Sequence, residues 1–117
     1  MDAVAIVIGS AWVVAGVLSI GLAIPLLHGK VRPNALYGVR FSESFQSDDA
    51  WFTINRYGAK RFILWALPMI AVGIAALFLP LQSRPWAALL LGLVPLAFVL
   101  TPAFETWLFA RRYTAKR

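Results

Sequence analysis

Three long apolar stretches and one polar interval set the pattern of this chain. Residues 3–27 carry no charged side chain. A second apolar run covers residues 62–81, and a third covers 86–110 with one charge, Glu105. A helix that crosses a bilayer needs about 20 consecutive apolar residues, so each run predicts one span. Only "QSRP" separates the second run from the third, and so short a link predicts antiparallel neighbours. Ser83 is placed to cap the third helix. Pro85 suits its first turn, where a missing N–H costs nothing. A signal peptide would begin with basic residues and have a shorter apolar core, whereas the early charge here is Asp2.

Composition agrees with the pattern. The chain of 117 residues is 61% hydrophobic, against about 45–50% for soluble domains. That surplus is too large for so short a chain to hide from water, and there is room for a single domain over residues 1–117. Cysteine is absent, which excludes disulfides and thiolate metal sites. The net charge of +6 is distributed asymmetrically. Lys30, Arg32, Arg40, Arg56, Lys60 and Arg61 lie between the first two runs, and Arg111, Arg112, Lys116 and Arg117 follow the third. Arg84 alone falls on the other side. By the positive-inside rule the 28–61 loop and the C-terminus face the cytoplasm, and the N-terminus and the 82–85 turn face outward. Topology therefore accounts for the basic residues, and nucleic-acid binding is disfavoured.

The 28–61 interval has structure of its own. Gly29 and Pro33 interrupt helix near its start. Ser47 is a good N-cap, and Asp48 and Asp49 then fall in the first turn, where negative charge suits the helix dipole. This predicts a short interfacial helix from about 48 to 57 that either stops at Gly58 or runs on into the second span. On it Trp51, Asn55, Gly58 and Phe62 share one face, and Ala50, Ile54, Tyr57 and Arg61 the adjoining one. Trp51, Phe52 and Tyr57 fit an interfacial aromatic belt. Asn34, Tyr37, Gly38, Arg40, Asp48, Asp49, Asn55 and Arg56 mix both charge signs with neutral hydrogen-bonding groups. That mixture predicts a packed loop with internal pairing, Arg40 with Asp48 or Asp49 first, since guanidinium and carboxylate match as a two-pronged pair.

The sequences "NALYGVR", "SDDAW" and "NRYG" resemble the signature of the SdpI family of small bacterial membrane proteins. The pattern falls on Asn34, on Tyr37, Gly38, Val39 and Arg40, on Ser47, Asp48, Asp49, Ala50 and Trp51, on Asn55 and Arg56, and on Gly58. The match is close over about residues 30–62, and the flanking spans match in kind. Phe41 stands where the family commonly has Thr, and "SESFQ" replaces a link that usually contains Thr and Leu. The resemblance implies a three-helix unit in the bacterial cytoplasmic membrane. For the founding member it implies immunity to a secreted toxic peptide, with signalling by retention of a transcriptional repressor at the membrane.

Candidate chemistry outside that signature is sparse. His28 is the one histidine and sits at the end of the first span, where an interfacial role is expected. No cluster has metal-ligand spacing and no glycine-rich phosphate loop occurs, so no enzyme activity, metal or cofactor is expected. Glu105 is the one ionisable residue inside a span as bounded above. It is a functional candidate by default, and is expected to pair with Arg56, Lys60 or Arg61. Pro68, Pro95 and Pro102 predict bends; with Glu105 they suggest a crevice closed by the loop. Gly9, Gly16 and Ala23 form a stripe for close helix contact, within the chain or between copies.

The sequence therefore predicts an all-α membrane protein with three transmembrane helices and a structured cytoplasmic loop. Its leading function is non-enzymatic, protection against a membrane-active peptide. The alternatives are an accessory subunit of a larger membrane complex, or a small transporter or intramembrane enzyme that uses Glu105. The partners to consider are the bilayer, a toxic peptide, a cytoplasmic regulator, other membrane subunits and a second copy of the chain.

Overall fold

A computed structural model describes residues 2–115. Lys116 and Arg117, counted above among the basic residues of the tail, lie outside the described residues. Helix α1 spans Ala3–Leu27, a 3-10 turn spans Ser42–Phe45, α2 spans Asp48–Ala76 and α3 spans Pro85–Ala115. The fold is all-helical, and all three α-helices are long and apolar enough to cross a membrane. The molecule is an elongated bundle of 54 × 24 × 21 Å. α2 is the central helix, with α1 and α3 both packed on it and barely touching each other.

Helix α1 covers the expected first span. Asp2 is its N-cap, and the Asp2 carboxylate accepts from the Ala5 N–H at 3.0 Å. The other carboxylate oxygen accepts from the Gln82 N–H at 2.7 Å, which ties the N-terminus to the α2–α3 turn. Desolvation alone would raise the pKa of Asp2, but these backbone hydrogen bonds outweigh it and hold the carboxyl below its ordinary value. The tie is therefore complete above the ordinary carboxylate range and weakens as acid protonates Asp2. Beside it Ala5, Ala76 and Leu81 form a small buried core.

Several boundaries differ from the sequence expectation. Asp48 begins a helix that continues without a break into the second span, so Gly58 neither ends nor interrupts it. α2 stops at Ala76, short of the expected 81. Pro80 biases Leu79 away from helix, and the chain tightens through bonds from Phe78 N–H to the Ala75 carbonyl and from Leu79 N–H to the Ala76 carbonyl. The apolar run outlasts the helix because the turn itself is apolar. Ser83 does not cap α3. Its hydroxyl donates back to the Pro80 carbonyl, and the Arg84 carbonyl accepts from the Ala87 and Ala88 N–H groups. Helix α3 runs past 110 to Ala115, so Arg111 and Arg112 are helical.

The small-residue stripe on α1 is used within the chain. A Cβ built on Gly9 would lie 2.7 Å from the Gly73 carbonyl oxygen, and one on Gly73 would lie 2.8 Å from the Gly9 carbonyl oxygen. At Gly16 it would run into the Ile70 side chain. Ala23 is buried as well. The α1 and α2 backbones thus touch at Gly9 and Gly73, where no side chain can yield.

Gly73→Ala should therefore push the helices apart and cost about 1–3 kcal/mol, as overpacking does. Gly21→Ala, in the same bundle with nothing within 4 Å of the new methyl, should be neutral or stabilise by about 0.5–1 kcal/mol. Thermal unfolding in detergent compares the two, and equal effects would refute the close contact.

Candidate functional site

The polar interval folds back onto the first half of α2, and its signature residues hold it there. Asn34 organises the entry: its amide donates to the Arg32 carbonyl at 2.8 Å, and its oxygen accepts from the Leu36 and Tyr37 N–H groups at 2.9 and 2.7 Å. This is the Asx-type turn that suits Asn in loops. The Tyr37 hydroxyl then donates to the Leu22 carbonyl of α1. Gly38 follows with φ +114, a conformation that L side chains rarely adopt. A Cβ there would lie 2.9 Å from the Asn55 side-chain oxygen and 3.0 Å from the Trp51 ring, so glycine is required twice over.

Asn55 is the central clip. It is buried on α2, and its oxygen accepts from the Val39 N–H at 2.6 Å. Its amide donates to the Val39 carbonyl at 3.3 Å and to the Trp51 carbonyl at 3.0 Å. One side chain thus satisfies both backbone groups of a loop residue, as a neighbouring strand would. One turn earlier, the Trp51 indole N–H donates to the Val31 carbonyl at 2.8 Å. Trp51 is fully buried, a core residue and not part of an interfacial belt. Tyr57 likewise stacks on Phe109, with centroids 4.1 Å apart.

Both faces expected on this helix are packing faces. Asn55 and Trp51 meet the loop, and at Gly58 a Cβ would lie 2.9 Å from Val39 and 3.1 Å from Thr106. Ala50 and Ile54 join Ala110 of α3 in a second buried core, Tyr57 meets Phe109, and Arg61 meets Glu105. The Ser47 hydroxyl accepts from the Ala50 N–H at 2.9 Å, as an N-cap should. Arg56 reaches the Leu27 carbonyl at 3.4 Å, a long bond.

The expected pair of Arg40 with Asp48 or Asp49 does not form. Arg40 donates instead to the Ala35 carbonyl, and Asp49 accepts from the Tyr113 hydroxyl at the end of α3. Asn55 holds Val39 and the core of Ala50, Ile54 and Ala110 holds Phe41, and Arg40 between them is exposed. Asp48 is exposed.

Glu105 pairs with Arg61, one of the three cations expected for it. Arg61 Nε and Nη2 donate to separate carboxylate oxygens at 3.1 and 2.5 Å, and the Trp65 indole N–H adds a bond at 2.7 Å. Both carboxylate oxygens are therefore engaged, and it is the one ion pair among the described residues. The loop does not take part, so Glu105 is not its partner. The expected crevice exists without Glu105. A cavity of about 420 Å³ is lined by residues 37–41 and by Ala103 and Thr106, the neighbours of Glu105 on the other face of α3.

The loop, α2 and most of α3 coincide with a known unit, since the model of the SdpI/YfhL protein family matches residues 30–103. The chain belongs to that family. No curated protein and no solved structure matches it. The family match begins just before the Asn34 turn and ends within α3, so it contains the whole loop clip. In this SdpI-family chain the signature residues Asn34, Tyr37, Gly38, Ser47, Trp51, Asn55 and Gly58 build the junction of loop and helices. Arg40 and Asp48 keep exposed charges at its surface.

Sequence reasoning missed Thr106 and Tyr113. Thr106 is buried and spends its hydroxyl on the Pro102 carbonyl at 2.6 Å. Its position one residue after Glu105 was the available signal.

Asn55→Ala should leave the Val39 N–H and carbonyl without partners and cost about 1–3 kcal/mol or more. Limited trypsin digestion should then cut at Arg40 at a rate well above wild type; an unchanged rate would refute the clip. For the ion pair, Glu105→Leu should cost on the order of 1–3 kcal/mol, because Arg61 is left unpaired. The double variant Arg61→Leu, Glu105→Leu should recover much of the loss. Thermal melts of the three proteins decide it, and a double variant worse than both singles would refute pairing as the source.

Proposed function

We propose that this SdpI-family membrane protein protects its cell against a membrane-active peptide and has no catalytic role. In this reading it lies in the bacterial cytoplasmic membrane with the loop and C-terminus inside, as the distribution of lysine and arginine favours. The observation that carries the proposal is the family match across the loop and the helices that hold it. The form of the site supports it. The signature side chains build a fixed platform, and a platform that presents Arg40 and Asp48 suits recognition of a partner more than turnover of a substrate. A transporter or intramembrane enzyme built on Glu105 has less support, because Arg61 and Trp65 occupy both of its carboxylate oxygens. Signalling to a cytoplasmic regulator would use the same face.

The test is a toxin challenge with cells that carry the wild type, a deletion, Arg40→Ala or Asp48→Ala. The deletion should sensitise the cells. Each variant should reduce protection while the protein still accumulates in the membrane, since neither residue is buried. Equal sensitivity of all four strains would refute the reading.

A further inference from the structure

The cavity between α1 and α3 has a one-sided chemistry. Its floor is Ala59 and Phe62 of α2, and its roof is residues 37–41. One wall is Leu22, Ala23 and Leu26 of α1 with Ser19 below them, and the other is Ala103 and Thr106. At about 420 Å³ it falls within the range of small-molecule sites, about 300–1,000 Å³. Its hydroxyls are spent: Ser19 on the Ala15 carbonyl, Thr106 on the Pro102 carbonyl and Tyr37 on the Leu22 carbonyl. What faces the cavity is mostly hydrocarbon, and Arg40 belongs to its roof. Arg40 is exposed, and one bond to Ala35 uses a fraction of its five donors.

We propose that this cavity holds an acyl chain of an anionic glycerophospholipid from the leaflet at the loop end of the bundle, with the lipid phosphate on Arg40. The wall of α1 lies in its last turns before Leu27, so the cavity is at leaflet depth. Hydrocarbon below and a cation above repeat the order in which a phospholipid presents its chain and its phosphate. No carboxylate lines the cavity to repel an anion, and guanidinium matches phosphate as a two-pronged partner. A helical peptide is a poor occupant. A helix with its side chains is about 10–12 Å across with a pitch of about 5.4 Å, so the cavity would take one turn at most. The roof is held in place by Asn55 and Tyr37, so little ordering is required when the lipid enters. The inference is independent of the immunity reading.

The experiment uses the full chain, delipidated in mild detergent and titrated with phosphatidylglycerol or phosphatidylcholine of the same chains, read by native mass spectrometry. The wild type should take up one phosphatidylglycerol per chain, with phosphatidylcholine about tenfold weaker, because its choline cation is repelled by Arg40 while the phosphate is common to both lipids. Arg40→Gln should reduce phosphatidylglycerol binding to the phosphatidylcholine level, while Arg112→Gln, on the exposed end of α3, should keep the preference. Ala103→Phe and Ser19→Phe fill the cavity from opposite walls, and each should weaken both lipids. A thermal melt identifies any variant that fails to fold, and the folded one of the two decides. Should neither filled variant fold, competition by free palmitate for the bound lipid decides in their place. The proposal is overturned by equal binding of the two lipids to wild type, by a preference that survives Arg40→Gln or vanishes equally in Arg112→Gln, by a filled variant that retains both lipids, or by palmitate that displaces nothing.

Discussion

The clip between Asn55 and Val39 is the constraint on which the loop end of the molecule depends. A long polar loop docked on a helix has backbone groups that water no longer reaches, and each needs a partner. Asn55 meets that need at one residue with one side chain, its oxygen to the N–H and its amide to the carbonyl. The other signature residues follow from this bond. Gly38 must be glycine because its backbone passes against Asn55 and Trp51 at a positive φ. Gly58 must be glycine because Val39, once clipped, lies on it. Tyr37 then fastens the loop to α1, and the Trp51 indole fastens the start of the loop to α2.

Helix α2 carries this arrangement because it is longer than the membrane requires. At 29 residues it spans about 44 Å, which leaves several turns at the loop end for polar contacts. Those turns have two faces. One meets the loop through Trp51, Asn55 and Gly58. The other meets α3 through Ile54, Tyr57 and Arg61, so the Arg61–Glu105 pair continues a packing face and is not an isolated site. At the opposite end the close approach of Gly9 and Gly73 does for α1 what the aromatic stack and the ion pair do for α3.

Much of this was legible in the sequence, and the reasons differ by feature. The spans were visible because hydropathy reports burial in lipid directly. The two faces of early α2 were visible because a helix turns 3.6 residues at a time, and the glycine stripe for the same reason. Arg61 was among the three cations expected for Glu105 because few cations lie at that depth. The misses have two causes. Arg40 was assigned to Asp48 or Asp49 by charge, but a backbone fixed at Val39 aims it at the Ala35 carbonyl. Ser83 was assigned to α3 by type, but the turn after Pro80 directs its hydroxyl backwards. Trp51 and Tyr57 were assigned to a belt by composition, yet the docked loop and α3 cover them. For Trp51 and Tyr57 a tertiary contact decided between options that composition left equal, and for Arg40 and Ser83 the local course of the backbone did.

The placement of Glu105 and the cavity on opposite faces of α3 has a mechanical consequence. Arg61 and Trp65 fasten α3 to α2 on one face, while Ala103 and Thr106 on the other border open space. Helices α1 and α3 barely touch, so the gap between them is set by what each does on α2 and by the roof that spans them. The roof is attached to α1 through Tyr37 and to α2 through Val39, and it rests on α3 through Phe41 and Val39 beside Ala110. The roof therefore joins all three helices around the cavity, whereas the ion pair joins two of them. The loop that displays Arg40 is thus also the element that would register whether the cavity is filled.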